Sequence, residues 1–360
     1  MNAPPTSLTG GALREVTEEE VREVLQRLLS PIAERLRRLE SEVEHLVCSE
    51  LGEFFPDAAR LIDGGKRLRG AICIGAAVMA AGSSGASAED ERISKAVRVG
   101  ACVEGIHFAS LLHDDVIDEA LERRGVATLH RSYGSTGAIL AGDLLYVRII
   151  NRLLEMKDPE LLRIVTTGTA SMVEGEAWQT LGALKGEEVD ARRYEEMITR
   201  KTAAFFSACA RAGAHIGADG EKGNGGRERY RALQRIMDRF GRAFGIAFQM
   251  IDDILDWSGE EELVGKDLLL DIRGGKLTLP VILFREAEPK KAKGLLRRAE
   301  EGEVLPLVDA IRQGGYVEKA RLRAREFAEE ALEALEEVEE YACDPALFRN
   351  LVNFAVYRVF

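Results

Sequence analysis

Cysteines, aromatic residues and long apolar runs are all scarce in this chain of 360 residues. Its five cysteines lie far apart and lack the spacing of a zinc site, so we interpret them as reduced core residues of an intracellular protein. Aromatic residues make up 6% of the sequence, whereas Ala, Leu, Glu and Arg are prominent, which favours helices over strands. No apolar run reaches the roughly 18 residues of a membrane span.

An excess of basic residues is also missing. Lys and Arg total 49 against 61 Asp and Glu, a formal net charge of -12, which argues against nucleic-acid binding by the whole molecule. Because residues 1–16 have no secretory apolar segment, we expect a cytoplasmic protein, or an organellar one if a transit peptide has been removed. The same residues contain Pro-Pro and Gly-Gly without periodicity. We therefore expect a flexible tail over 1–16 and a single helical domain over 17–360.

Aspartates, by contrast, are concentrated in two places inside apolar helical runs. The pattern Asp-Asp-x-x-Asp occurs twice, as Asp114, Asp115 and Asp118, and as Asp252, Asp253 and Asp256. In a helix, Asp114 and Asp118 stand one turn apart on one face, where a like-charged pair destabilises the helix by about 0.2–0.5 kcal/mol. A cation that neutralises these acids would explain the pattern.

The ligand types indicate which cation this would be. Carboxylates with no interleaved His or Cys favour Mg²⁺, which proteins usually hold with one or two carboxylates plus substrate phosphates. An EF-hand does not fit, because that loop spreads its acids over about twelve residues around a glycine. A surface acidic patch would explain one copy equally well. Two copies in apolar helices, with basic clusters elsewhere, favour one shared Mg²⁺ site that binds a phosphate compound.

Polar and basic residues accompany both acidic patterns. His107 and Ser110 precede Asp114 on the same helical face, and Gln249 flanks the face of Asp252, so we expect them to line a cavity. Taken singly, each would also fit a buried polar residue bonded to a neighbour. We expect the first acidic helix to run over 90–122, with two arginines at its end. The basic residues are Lys66, Arg67, Arg69, Arg123, Arg124, Lys201, Lys266 and Lys276, and for any one of them an exposed surface role would be ordinary.

The complete set of motifs, in this order, resembles that of the trans-isoprenyl diphosphate synthases, the polyprenyl synthetase family, over roughly residues 20–360. The matching segments are Gly64-Gly-Lys66-Arg-Leu-Arg69, Asp114-Asp-Val-Ile-Asp118 with Arg123-Arg124-Gly125, Lys201-Thr202, Phe248-Gln-Met-Ile-Asp252-Asp-Ile-Leu-Asp256, and Gly265-Lys266-Asp267 through Lys276-Leu-Thr-Leu-Pro280. The resemblance implies an all-α isoprenoid synthase type I fold around a deep central cavity. It also implies a homodimer that condenses an allylic diphosphate primer head-to-tail with isopentenyl diphosphate, with at most peripheral membrane contact for product release.

The resemblance further implies roles for single residues. Asp114 and Asp118 would bind two Mg²⁺ ions on the allylic diphosphate, and Asp252 would bind a third. Asp115, Asp253 and Lys201 would also be among the catalytic residues. That diphosphate would be held by Arg123, Lys201, Thr202, Gln249, Lys266 and Lys276. Isopentenyl diphosphate would be held by Lys66, Arg69, His107 and Arg124. Gly70 departs from the proline common after the basic motif in longer-chain members.

Product length in this family depends partly on the residues four and five positions before the first aspartate. Here they are Ser110 and Ala109, and small residues leave room for a long prenyl tail, since each buried CH₂ contributes about 0.8 kcal/mol. We therefore expect a long-chain polyprenyl product. The alternatives are a short-chain farnesyl or geranylgeranyl diphosphate synthase, another class I terpenoid enzyme, and a non-catalytic subunit of a heteromeric synthase. Such subunits commonly lose an aspartate cluster, and this chain keeps both.

Overall fold

Helices with apolar faces account for almost all of the chain that can be described. The structure, a computed structural model, describes residues 18–62, 65–82, 91–218, 224–255, 257, 276–341 and 343–357. The all-α prediction is confirmed, because the only strands in these residues form one short hairpin. The predicted tail over 1–16 lies outside the described residues, and so do Asp256 and Lys266. The single domain and the deep central cavity remain predictions.

The helices follow one another with short connections. Their bounds are α1 Glu18–Leu28, α2 Ala33–Leu51, α3 Leu68–Ala81, α4 Glu91–Ile117, α5 Leu129–Glu155, α6 Pro159–Leu184, α7 Ala191–Ile198, α8 Ala204–Gly217, α9 Asn224–Leu255, α10 Leu279–Ala287, α11 Pro289–Glu300, α12 Leu305–Gln313, α13 Tyr316–Glu336 and α14 Ala346–Tyr357. Short 3₁₀ helices lie at Ser30–Ile32, Pro56–Leu61 and Glu337–Tyr341, and a π-helical turn at Thr199–Ala203 joins α7 to α8.

Helix α3 lies at the centre of the main core and is buried on nearly every side. Small residues allow this, because its neighbour α8 approaches without side chains in between. A Cβ atom on Gly213 would lie 2.0 Å from the carbonyl oxygen of Cys73, and one on Gly217 would lie 2.3 Å from that of Ala77. The two backbones are therefore in direct contact, and α8 is fixed against the middle of the molecule.

The two helices that carry the acidic patterns pack around this centre. Helix α4 contacts α2, α3, α5 and α8, while α9 contacts α8 and α13. Aromatic rings fill the space beside α9: Phe240 and Phe244 stack 5.6 Å apart, and Phe348 of α14 meets Phe240 edge-on at 5.0 Å. A shared neighbour, α8, thus positions both acid-bearing helices, since it packs against each of them.

Two sequence-based predictions about local structure are wrong. Helix α4 ends at Ile117 rather than at 122, and the next residues form an antiparallel pair, Glu122–Arg123 with Val126–Ala127. The turn between the strands has positive φ angles at Arg124 (52°) and Gly125 (76°), the backbone that two-residue hairpins require. The five cysteines are not all core residues either, because Cys48 is exposed.

Proline and glycine mark two of the connections between helices. The break near Pro31 is a 3₁₀ turn, and the Gly314-Gly315 pair separates α12 from α13, with Gly315 at a φ of 70°. The described helices include none with the length and apolar character needed to cross a membrane.

Candidate active site

The first acidic pattern lies at the carboxyl end of α4. The N–H of Asp118 donates to the carbonyl of Asp114 at 2.8 Å, so helical spacing continues just past the end of the helix. Asp114 is half-buried and Asp118 is exposed, and both stand on the same face. The predicted pairing of these two carboxylates is therefore present in the fold.

Asp114 has the most perturbed carboxyl group of the site. Burial and the nearby charge of Glu176 raise its pKa to about 6, and Asp118 adds to this shift, against the opposing charges of Lys201 and Arg123. A carboxylate whose ionised form is disfavoured by burial and by two neighbouring acids is one that a bound cation would stabilise. The residues present thus fit the Mg²⁺ that the resemblance implies.

No group of three or more acidic, His or Cys side chains within the described ranges converges closely enough to bind a metal ion by itself. This agrees with the chemistry of Mg²⁺, which takes most of its ligands from water and substrate phosphates.

Asp115 points away from Asp114, into the protein. It is 1% exposed, and its Oδ1 accepts two hydrogen bonds from Arg123, from Nε at 3.0 Å and from Nη2 at 2.8 Å. The sequence predicted Arg123 at a helix end, but it lies on the hairpin that follows α4. The buried carboxylate thus fixes the hairpin, and with it both arginines, beside the acidic face.

The π-helical turn presents Lys201 and Thr202 to two different helices. Lys201 Nζ donates to Gln179 Oε1 at 2.6 Å and pairs with Glu176 at 2.5 Å, both on α6. Thr202 Oγ1 donates to Gln249 Oε1 of α9 at 2.7 Å. The wider turn therefore lets adjacent residues reach opposite walls of the site, in keeping with the frequent occurrence of π-bulges at functional positions.

Stacked arginines strengthen the contact between this turn and α6. The ring of Trp178 lies between the guanidinium groups of Arg193 and Arg200, at 3.7 and 4.4 Å from its centre. Trp178 precedes Gln179, and Arg200 precedes Lys201. The stack consequently holds together the two segments that are joined by the bond between Lys201 and Gln179.

The second acidic pattern divides its residues in the same way as the first. Asp253 accepts a hydrogen bond from Gln249 Nε2 at 2.8 Å and another from the hydroxyl of Tyr194 at 2.5 Å. Burial, followed by the charge of Asp253, raises the pKa of Tyr194 well above its usual range, so the hydroxyl remains a donor. Asp252 is exposed at the surface of the site.

Charge interactions connect the two acidic helices. Burial lowers the pKa of the Arg69 guanidinium, while the nearby charges of Glu104 and Asp252 oppose that shift. Burial and then the charges of Arg69, Arg123 and Arg124 hold the pKa of His107 well below its usual range, so its imidazole is neutral at pH 7. Arg69 therefore interacts with residues of both acid-bearing helices, Glu104 on α4 and Asp252 on α9.

Lys276 reaches the first pattern from a distant part of the chain, where its Nζ pairs with Asp118. It also lines a pocket together with Trp178, Gln179 and Arg193. Lys66 is exposed, and Ala109 is buried. Ser110 Oγ donates to the carbonyl of His107 at 2.8 Å.

Direct contacts join some of the predicted site residues: Asp115 with Arg123, Asp118 with Lys276, and Gln249 with Thr202 and Asp253. Lys266 lies outside the described residues. Sequence reasoning assigned no role to Glu104 or Tyr194, whose contacts reach Gly70 and Asp253. Glu104 and Gly70 are 34 residues apart in the sequence, and Tyr194 and Asp253 are 59 apart, so no local sequence pattern indicates either contact. One signal was present for Glu104: a charge in an apolar helical run, one turn before His107.

Comparisons with known proteins agree with this geometry. The family model "Polyprenyl synthetase" matches residues 57–308. The chain is 31% identical to the all-trans-nonaprenyl-diphosphate synthase (geranyl-diphosphate specific) of Rhodobacter capsulatus, over 93% of this chain and 98% of that protein. It is also 31% identical to the octaprenyl diphosphate synthase of Escherichia coli K12, over 90% of this chain and 93% of that protein. The geranylgeranyl pyrophosphate synthetase structure from Pyrococcus horikoshii is similar, with a TM-score of 0.76 at 29% identity, covering 92% and 99% of the two chains.

Proposed function

The chain belongs to the polyprenyl synthetase family, and on this basis we propose that it is a catalytically complete synthase of long-chain all-trans polyprenyl diphosphates. Members of the family are trans-prenyltransferases that condense an allylic diphosphate head-to-tail with isopentenyl diphosphate. The observation that supports the proposal is the presence of both acidic patterns on helices that pack against α8, with Lys201 and Lys276 beside the first pattern and Arg69 near Asp252.

Mg²⁺ would be held by Asp114 and Asp118 on one side and by Asp252 on the other. When bound, it would stabilise the negative charge of the departing diphosphate. The raised pKa of Asp114 supports this assignment, because the ionised carboxylate lacks a full set of compensating charges in the protein alone.

The allylic diphosphate would be held by residues around the first acidic pattern and the π turn. Arg123, fixed by Asp115, and Lys276, paired with Asp118, would contact its oxygens from one side. Lys201 and Thr202 would contact it from the other, joined by Gln249 and Lys266. Charge-assisted hydrogen bonds of this kind are about twice as strong as neutral ones, so they bind diphosphate and also favour its departure.

Isopentenyl diphosphate would be held by a second group, formed by Lys66, Arg69, His107 and Arg124. The depressed pKa of His107 is informative here, because a neutral imidazole donates one N–H without adding charge. Arg124 stands at the tip of the hairpin, one residue beyond Arg123. The two arginines can therefore serve different diphosphates.

The reaction needs no nucleophilic side chain. The bond between the allylic carbon and its diphosphate breaks, the double bond of isopentenyl diphosphate supplies the electron pair for the new C–C bond, and a proton passes from the resulting cation to the released diphosphate, which restores a double bond. What the protein must supply is orientation, charge and a space without water, since water would capture the cationic intermediate. Phe206 and Phe248, 5.4 Å apart, provide aromatic surface next to Arg69.

A long product is favoured by the small side chains before the first aspartate. By the family resemblance, small residues at Ala109 and Ser110 would leave room for a long prenyl chain, whereas bulky residues there would stop it early. The nonaprenyl and octaprenyl relatives support the same assignment, and the geranylgeranyl relative keeps a short product as the alternative.

We also propose a homodimer, supported by an apolar stripe on α5. Leu140, Val147 and Leu154 recur every seven residues and are 56%, 57% and 53% exposed, so they lie along one face of the helix. Neighbouring apolar residues on α6, Val173 and Leu181, are similarly exposed. Contiguous apolar surface of this kind marks interaction sites. Sedimentation of the purified protein should give the mass of a dimer. The mass of a monomer would contradict the proposal and give the stripe another role.

A cytoplasmic location remains a prediction.

The decisive experiment is incubation of the purified protein with isopentenyl diphosphate, a set of allylic primers and Mg²⁺, followed by chromatography of the products. We expect long all-trans polyprenyl diphosphates, and none from the Asp114→Asn variant. Elongation that stops at farnesyl or geranylgeranyl diphosphate would refute the long-chain assignment. No elongation by the protein alone would favour a non-catalytic subunit.

A further inference from the structure

Glu104 is a buried acid that none of the roles above uses. It lies in the middle of α4, is 5% exposed, and accepts a hydrogen bond at 2.8 Å from the backbone N–H of Gly70. Charged residues are rarely buried this fully unless they are paired. The partner of this carboxylate therefore indicates its role.

Gly70 lies in the first turn of α3, where backbone N–H groups have no acceptor within the helix. The N-cap residue, Arg67, has a left-handed backbone (φ 50°) and makes no capping hydrogen bond with its side chain. A carboxylate from a different helix thus takes the place of the missing cap. Its negative charge also faces the positive end of the α3 dipole, which strengthens the contact.

The capped turn carries Arg69, which is held on several sides. Its guanidinium lies 4.8 Å from the centre of the Phe206 ring and interacts with the charge of Glu104. There is little room for the turn to move towards its neighbours: a Cβ atom on Gly70 would lie 2.5 Å from Leu39 Cδ2 of α2 and 3.2 Å from Glu104 Cγ of α4. The position of Arg69 therefore depends on how the first turn of α3 sits against Glu104.

We propose that Glu104 is a positioning residue for the isopentenyl diphosphate site, acting by capping α3 at Gly70 and so fixing Arg69. The inference rests on the proposed function, in which Arg69 binds that diphosphate. Glu104 also lies one turn before His107 on α4, on the same side of the helix as this second residue of the site.

Simple charge repulsion between Glu104 and the diphosphate would change the KM for isopentenyl diphosphate in the opposite direction. If its negative charge only opposed the diphosphate, removing the charge would strengthen binding and lower the KM for isopentenyl diphosphate. If Glu104 positions Arg69, removing the acceptor raises that KM. The sign of the change therefore separates the two effects.

The test compares Glu104→Ala with Glu104→Gln, measuring KM for each substrate, kcat and Tm. We expect the alanine variant to raise KM for isopentenyl diphosphate about tenfold, the lower end of what loss of a supporting contact costs at other ligand sites. The KM for the allylic primer should stay unchanged, because the cations proposed for that diphosphate lie elsewhere. The glutamine variant keeps an acceptor for the Gly70 N–H and should raise the KM only about two- to threefold, since a neutral acceptor gives about half the bond strength.

Two controls complete the design. Asp158→Ala removes a carboxylate that caps α6 at the N–H of Leu161 (3.0 Å) and pairs with Lys95 (2.7 Å), and should lower Tm with both KM values unchanged. Arg69→Ala should raise the KM for isopentenyl diphosphate at least as much as Glu104→Ala. If the alanine variant of Glu104 does not fold, Glu104→Asp replaces it, because its carboxylate is withdrawn by about 1.5 Å, one C–C bond.

Five results would overturn the inference. A lower KM for isopentenyl diphosphate in the alanine variant would indicate charge repulsion. Equal increases in both KM values, or no rescue by glutamine, would indicate a general loss of structure. An unchanged KM in Arg69→Ala would refute the proposed role of Arg69, and the inference with it, whereas a raised KM there with no effect at Glu104 refutes the inference alone.

Discussion

Gly175 on α6 offers the sharpest test of how the π turn is positioned. A Cβ atom added there would lie 2.2 Å from the backbone nitrogen of Lys201 and 2.5 Å from its Cα. Both are backbone atoms, so no side-chain rotation relieves the overlap. Reaching an ordinary contact of 3.4 Å requires the turn to move by about 1 Å, and overpacking of this kind destabilises proteins by about 1–3 kcal/mol.

Gly175→Ala should lower activity strongly and lower thermal stability only moderately. Displacement of a substrate-positioning group by about 1 Å can reduce the rate about 100-fold. The displaced residues would be Lys201 and Thr202, which we propose to hold the allylic diphosphate. We therefore expect kcat/KM for the allylic primer to fall about 100-fold, while Tm falls by only several degrees.

Gly182, on the same helix, provides a matched control. A Cβ atom there would meet only Glu187 Oε2, at 3.7 Å, which is an ordinary contact. Gly182→Ala should therefore keep wild-type activity and raise stability by about 0.4–1 kcal/mol. Steady-state kinetics and thermal unfolding of both variants decide the matter. Full activity in Gly175→Ala, or an equal loss in Gly182→Ala, would refute the reasoning.

Four further outcomes are expected. Tyr194→Phe removes the 2.5 Å bond to Asp253 and should reduce kcat about tenfold with little change in Tm, as measured by steady-state kinetics. Ala109→Tyr should shorten the products seen by chromatography; an unchanged length distribution would place the tunnel wall elsewhere. Chelation by EDTA should abolish elongation, and added Mg²⁺ should restore it. Burial raises the pKa of Asp158, but hydrogen bonds from Lys95, the Leu161 N–H and His215 outweigh burial and lower this pKa. The stabilising effect of Asp158 is therefore present at neutral pH and is lost as the pH falls below the usual value of 3.8. Asp158→Asn should reduce this loss of stability in acid, as measured by unfolding at a series of pH values.

The fold class and the acidic patterns were predictable because both depend on local periodicity. The apolar spacing along α4 and α9 is a property of neighbouring residues, and so is the separation of Asp114 from Asp118. The position of Arg123 could not be predicted in this way. Its place on a hairpin depends on the left-handed turn at Arg124 and Gly125 and on a bond to the buried Asp115, and neither follows from helical spacing.

Contacts between distant segments account for the other omissions. The π turn at Thr199–Ala203 has no composition that separates it from an α-helix, and it is recognised only when Gly175 and Gly245 are seen packed against its backbone. Gly245 would bring a Cβ atom to 2.5 Å from Ala203 Cα. Close approach of this kind explains why glycines stand at both positions, which sequence alone left unexplained.

The paired aspartates follow from the geometry of a helix. Adjacent residues are about 100° apart around the axis, so both members of an Asp-Asp pair cannot face the same ion well. In this protein one member faces the site while the other is an anchor: Asp115 binds Arg123, and Asp253 binds Gln249 and Tyr194. The anchor fixes the direction of its neighbour, because rotation of α4 would break the bonds from Arg123 and rotation of α9 would break the bond from Tyr194. We therefore expect substitution of the second aspartate of a pair to displace the first.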